Sequence, residues 1–273
     1  MNYNDSASSS IRNKISNGFL DIIDGANKLS MAIYFAWGDT RARYRRSLLG
    51  PFWMVLTSAI SVAGLGFLWS LIFKEPPEKI VPSLTIGLVV WQFLSSCIIE
   101  SPSIFYRNAH FIRNIKTPYF VFILHVLLRQ VINLAHNFIV IVVVLIYFSI
   151  PLNENQLLIV PGFALVILNL CWVTLLMALI GARFRDFEQI VVAFMPLFFF
   201  MSPVIFRPSQ LSMAQEILWL NPFSYLITLI RDPIVGQVPP MFVYLTAIIV
   251  FIVGSLFTLY QFGKYKKNIS FWI

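Results

Sequence analysis

Four polar residues within one apolar stretch, His125, Arg129, Asn133 and His136, are spaced by four, four and three positions. At roughly 100° per residue, a helix through them carries all four on one stripe. Glu100, near the end of the preceding apolar run, is an acidic group within reach of Arg129 if the two helices are neighbours. Ionisable groups at such depth are costly unless they face protein or water. Two uses compete: an Arg129 to Glu100 ion pair that fixes helix packing, or a polar lining for a hydrophilic path. A proton relay would draw on the same residue types, but an ion-coupled secondary transporter usually shows internal repeats and more buried acids. Neither is present in this sequence.

Other chemistry is scarce. There is no Gly-rich phosphate loop followed by Lys and Ser or Thr, so ATP hydrolysis is expected on another subunit and no cofactor on this chain. No His-Glu metalloprotease motif, nucleophile-elbow serine or close carboxylate pair lies in an apolar run, which weighs against an intramembrane enzyme. Cys97 and Cys171 both sit in apolar stretches and lack a second ligand at metal spacing, so they read as small core residues and no metal is expected. Phe198, Phe199 and Phe200 are consecutive. They cannot all face one way, so some serve packing or lipid contact, while one or two could present a ring to a sugar in a conduit. Phe111 and Ile115, four apart in a polar segment, have the spacing of anchors on a short helix that docks into a partner's groove.

The elements that must position these groups follow from composition. Of 273 residues, 58% are apolar and only 12% charged, about half the charged fraction of an ordinary soluble domain. The sequence predicts an all-α integral membrane protein. Six runs approach the roughly 20 residues that cross a bilayer: 50–73, 83–104, 119–150, 157–181, 187–205 and 241–262. Pro196 and Pro203 interrupt the fifth, which predicts a kink there. Fifteen of the twenty basic residues fall in the segments 12–46, 107–116, 183–185 and 264–267. Lys and Arg are retained on the cytoplasmic side, so both termini are expected inside. The net charge of +8 is then explained by an anionic leaflet, and no nucleic-acid partner is expected. The first 28 residues lack the apolar core of a cleavable signal, which also keeps the amino terminus inside.

Residues 1–49 therefore read as a cytoplasmic amino-terminal region, 50–263 as the six-span domain and 264–273 as a cytoplasmic tail. Leu29, Ile33, Trp37, Tyr44 and Leu48 recur at near-helical spacing, and Arg41, Arg43, Arg45 and Arg46 crowd the approach to the first span. That pattern predicts an amphipathic interfacial helix over 29–49, with rings at headgroup depth and arginines on lipid phosphates. The connection 106–118 reads as a short polar helix closed by Pro118. In the stretch 206–240, the apolar pieces 217–220 and 223–230 are too short to span and are broken at Asn221-Pro222 and Asp232-Pro233. They suit re-entrant helices that dip into the outer half of the membrane, with a surface loop of amphipathic turns as the competing reading.

The run Trp37, Asp39, Arg41, Arg43, Tyr44, Arg45, Ser47, Leu49, Gly50, Pro51, Phe52 and Trp53 resembles the lead-in to the first span of the permease subunit of type-2 ABC exporters of bacterial surface polysaccharides. Glu100, Asn108 and Pro118, then Arg183, Asp186 and Phe187, then Ser202-Pro203-Val204 and Asn221-Pro222-Phe223 extend the likeness over nearly the whole chain apart from residues 1–25 and the tail. The resemblance implies a homodimer of permease chains in the bacterial inner membrane, with two nucleotide-binding subunits beneath it that bind ATP and Mg. It implies a lipid-linked polysaccharide as cargo, with O-antigen the first expectation and capsule or teichoic acid the alternatives. Carried over by position, 106–116 is the coupling helix, with Tyr106, Asn108, His110, Phe111, Arg113, Asn114 and Ile115 facing the ATPase beside Arg183 and Asp186. The stretch 206–240 carries the re-entrant periplasmic helices.

Overall fold

The computed structural model describes residues 15–206, apart from 17, 46 and 51, and residues 215–273, with side chains of 215–217 left aside. Every regular element among the described residues is helical. Residues 18–27 form α1, followed by α2 (Leu29–Arg43), α3 (Phe52–Phe73) and α4 (Pro77–Glu100). Two short helices, α5 (Ile104–Arg107) and α6 (Ala109–Asn114), lead to α7 (Phe120–Tyr147) and α8 (Ile159–Arg183). Then come α9 (Phe187–Met201), α10 (Gln215–Leu220), α11 (Pro222–Ile234), α12 (Met241–Tyr265) and α13 (Ile269–Trp272).

Five of these, α3, α4, α7, α8 and α12, are long and apolar enough to cross a membrane. The sixth expected span is shorter: α9 is apolar but has 15 residues, about 22 Å at 1.5 Å per residue against a hydrocarbon core of about 30 Å. Pro196 lies inside α9, and the chain leaves the helix at Ser202, whose extended backbone precedes Pro203. A residue before proline is disfavoured in the α region; Ser202 leaves it before Pro203, whereas Met195 stays helical before Pro196.

At the centre, α4 packs against α3, α7, α8, α9 and α11, and it is buried along most of its length. By contrast α3 and α12 bury only narrow stripes, Ser58, Val62 and Gly66 on one and Val243, Ala247, Thr258 and Phe262 on the other, and leave most of their Phe, Leu and Ile outward, as lipid-facing helices do. Gly87 of α4 allows the backbone of Val204 to lie directly on the helix, where a Cβ would meet the Val204 carbonyl. Gly181 of α8 does the same for the carbonyl of Pro102, in the 3-10 turn Ser101–Ser103 that follows α4.

Three boundaries differ from the sequence expectation. The helix expected over 29–49 ends at Arg43, so Tyr44 and Leu48 fall beyond it. Gly50, at φ +54°, takes a left-handed conformation before Pro51, which ends helical geometry ahead of α3. The connection 106–118 is not one helix closed by Pro118. It breaks between Arg107 and Ala109, α6 stops at Asn114 with Ile115 extended, and Pro118 instead precedes α7. Finally, α11 starts after Asn221 as expected but runs through Asp232-Pro233 to Ile234. The proline sits in the last turn, where it removes a single intrahelical bond.

The α10–α11 corner is built into the bundle. Asn221 accepts from the Phe223 N–H at 3.0 Å, capping α11, and donates to Ser202 Oγ at 2.8 Å. Phe223, Ile227, Leu229 and Ile230 are buried, with α11 packed against α4, α8 and α12. At the other end of the bundle, the tail folds back. Ile269 and Ile273 are buried, α13 contacts α6 and α8, and Lys266 pairs with Asp21 of α1 at 2.8 Å.

Candidate functional site

The α7 stripe meets an acid on each side. Arg129 donates from Nη1 to Asp39 Oδ2 of α2 at 2.7 Å and from Nη2 to Glu100 Oε2 at the end of α4. His125 Nε2 lies 2.9 Å from the same Asp39 oxygen. Gln130 donates to Glu100 Oε1 at 2.9 Å, and Asn133 donates to Gln130 at 2.8 Å. His136 does not join this set, because its ring bonds the Ile132 carbonyl of its own helix at 2.8 Å. Charge-assisted bonds of this kind are stronger than neutral ones, and Glu100 holds both its oxygens satisfied.

A second polar cluster continues the stripe one turn further. Asn137 donates to Gln92 of α4 at 3.3 Å, and Ser58 of α3 lies 2.9 Å from Asn137 Oδ1. Between the clusters is a cavity of about 140 Å³ lined by Arg43, Gln92, Ser96, Glu100, Gln130 and Asn133 among others. Another, of about 190 Å³, lies across the Arg129 to Glu100 pair and is lined by Asp39, Arg107, Asn108 and His125 among others. Polar walls of this size accommodate several waters each. The Arg129 to Glu100 ion pair thus joins two helices, with polar space on either side of it.

The residues expected to couple to a motor cluster at the end of the bundle that holds the tail. None of the residues of α6 is buried, and Phe111 and Ile115 are 41% and 49% exposed. Phe111 touches Phe35 of α2 at 5.8 Å between ring centroids and the His110 ring at 6.0 Å. Tyr106 donates to Glu188 at the start of α9, and Arg107 pairs with the same carboxylate at 3.1 Å. Asn108 donates back to the Ile104 carbonyl at 2.8 Å, which holds the sharp break between α5 and α6. Arg113 donates to the Ile273 carbonyl, while Asn114 ends α6 at the surface. Arg183 and Asp186 are exposed at the α8 to α9 connection, with the Arg183 guanidinium 5.6 Å from the Trp272 ring.

On α2, small residues Ala32, Ala36 and Thr40 are buried and the helix packs on α7, while Leu29, Ile33 and Trp37 face outward. Arg41 and Arg43 lie exposed in its last turn, and Tyr44 caps it. Arg43 and Arg45 line an open cleft with Ala42 and Ser47. Arg46 lies outside the described residues. Of the aromatic triplet, Phe198 packs on Phe223 at 5.4 Å and Phe199 on Trp91 at 5.6 Å, whereas Phe200 is 65% exposed.

Sequence reasoning missed Asp39 as a partner of the stripe, Glu188 as the tether of Tyr106 and Arg107, and the Ser58, Gln92 and Asn137 cluster. Asn137 had a signal: it continues the four-residue spacing from His125, Arg129 and Asn133. Arg231 had none. It is only 2% exposed and donates to the Pro203 carbonyl at 2.5 Å while pairing with Asp232 at 3.0 Å.

The model of the ABC-2 type transporter family matches residues 33–235, from α2 to the end of α11. The O-antigen export system permease protein RfbA of Klebsiella pneumoniae is 23% identical over 198 residues, covering 71% of this chain and 76% of that protein. The protein of the same name from Myxococcus xanthus is 25% identical over 195 residues, covering 70% and 74%. The matched span contains the polar stripe, the exposed α6 and the α10–α11 corner, and the chain belongs to the ABC-2 type transporter family as a multi-pass permease subunit.

Proposed function

We propose that this permease exports a lipid-linked polysaccharide, O-antigen in the first place, across the bacterial inner membrane, powered by a separate ATPase subunit that binds ATP and Mg. Both relatives named above are O-antigen export permeases, which supports that cargo over capsule or teichoic acid. The single observation that carries the mechanism is α6: a short helix with no buried residue that presents Phe111 outward, with Ile115 exposed just past its end, at one end of the bundle. In this reading α6 is cytoplasmic, and so are both termini. It takes up the closing motion of the ATPase pair and passes it through α5 to α4 and, through Glu188, to α9.

Two permease chains enclose the conduit. Here α9 completes the sixth span together with the turn 202–206, and α10 and α11 enter the outer half of the membrane without crossing. Trp37, Arg41, Arg43 and Arg45 hold α2 at the headgroups, where guanidinium forks suit the phosphates of lipids and of the carrier. Phe200, the outward member of its triplet, is placed to meet sugar rings, while Phe198 and Phe199 hold α9 to the core. Only contacts that differ between the closed and open states move the equilibrium, so α6 must change its contacts during the cycle.

The test is to change Phe111 and Ile115 together to Asp. ATP-driven export and co-purification of the ATPase subunit should be lost while membrane insertion is retained. Export at the unaltered rate would remove the coupling assignment.

A further inference from the structure

At the proposed docking end a large apolar side chain lies uncovered by the described residues. Phe271 is 86% exposed, although the segment that carries it is fixed on both sides. Ile269 and Ile273 are buried, Arg113 of α6 donates to the Ile273 carbonyl, and Arg183 at the end of α8 lies over the Trp272 ring. Behind the segment, Lys266 is held by Asp21 of α1. Thus α13 fills the space between the two connections that the motor is expected to touch, α6 and the α8 to α9 turn, and it touches both elements. A pinned backbone with a fully outward Phe at its centre is the geometry of a hot-spot anchor, since ordering costs have already been met in the free protein.

We propose that α13 is the third part of the ATPase docking platform, with Phe271 inserting into an apolar groove of the nucleotide-binding subunit beside Phe111 and Ile115. This rests on the docking role given to α6 above. The surface is continuous with α6, and its exposed charge is mainly basic and indicates the partner: Lys264 and Lys267 on the tail, Lys116 on one flank, and Arg183 and Arg185 on the other beside Asp186. An apolar groove with an acidic rim complements that set. Both α1 and α13 lie outside the stretch 33–235 matched by the family.

The experiment uses the full permease with its ATPase subunit, co-purified in detergent. Phe271→Asp should lower the amount of ATPase retained by about tenfold or more, the loss expected when a Phe anchor can no longer be buried. Amount and thermal stability of the permease should stay at the wild-type level, because Phe271 is outward. Retention equal to wild type, with the Phe111 and Ile115 double variant losing the ATPase, overturns the role of α13 and leaves α6 standing. Retention by both variants overturns the docking reading as well. If Phe271→Asp fails to insert, Phe271→Cys decides the matter in intact membranes. A thiol-to-amine crosslink to the ATPase subunit supports the proposal, and modification by lipid alone, or by nothing, overturns it.

Discussion

Asp39 on α2 accepts a hydrogen bond from Arg129 on α7 at 2.7 Å, so a charge ties the helix that precedes the first span into the membrane bundle. Arg129 simultaneously holds Glu100 at the end of α4. The guanidinium is therefore the common point of three helices, one of which continues into the proposed coupling region. Arg129→Ala should destabilise the permease by roughly 3 kcal/mol, the low end of the cost of breaking a buried pair, because it strands Glu100. Glu100→Gln should act in the same direction. Asp39→Asn should cost less, about 1 kcal/mol, since Asp39 is nearly half exposed. Thermal unfolding in detergent ranks the three. Full stability of both the Arg129 and the Glu100 variant would move these residues from helix packing to the lining of the path.

The stripe on α7 was legible because helical spacing alone puts His125, Arg129 and Asn133 on one face, and because Glu100 ends the preceding run. Its third partner was not. Asp39 lies among aromatic and basic residues whose pattern speaks of a lipid interface, and nothing in that pattern says that Ala32, Ala36 and Thr40 let α2 lie close against α7. The five long helices followed from run length, which a bilayer fixes independently of tertiary contacts. The end of α9 did not, because hydropathy continues through Val204 and Ile205 while Pro203 stops the helix. The folded tail was invisible for a related reason: Arg113, Lys266 and Arg183 read as orienting charges, yet each also has a specific partner from a distant part of the chain.

Arg231 gives a prediction for the outer end of the bundle. Its guanidinium reaches the carbonyl of Pro203 and the carboxylate of Asp232 together, and so holds the unwound end of α9 against α11. Arg231→Met keeps the bulk but leaves a buried carbonyl and a carboxylate short of a donor, at a cost of about 2–4 kcal/mol. Arg231→Lys should recover little of this, because an ammonium group cannot span both acceptors with a planar fork. Melting temperatures of the purified permease in one detergent test the pair of variants. A Lys variant as stable as wild type would show that charge alone, and not the fork, secures the corner.

The clamp between the two ends of the chain gives the last prediction, and its sign follows from burial. Asp21 is 2% exposed; one carboxylate oxygen accepts the Phe120 N–H at 3.0 Å at the start of α7, and the other accepts from Lys266 at 2.8 Å. Lys266 is itself about one-third exposed. Removing the lysine strands a buried charge, whereas Asp21→Asn removes the charge and keeps an oxygen for the Phe120 N–H. Lys266→Ala should therefore destabilise the protein more than Asp21→Asn, by about 3 kcal/mol against about 1 kcal/mol. In the double variant, the lysine change should add almost nothing to the asparagine change, because no buried charge remains to be left alone. Unfolding of the two single variants and the double variant, measured as one cycle, reads this directly. Additive losses would mean that the two residues act separately, and that the contact between α1 and the tail depends on Gly18 and Gly25 packing against α12 and α7 instead.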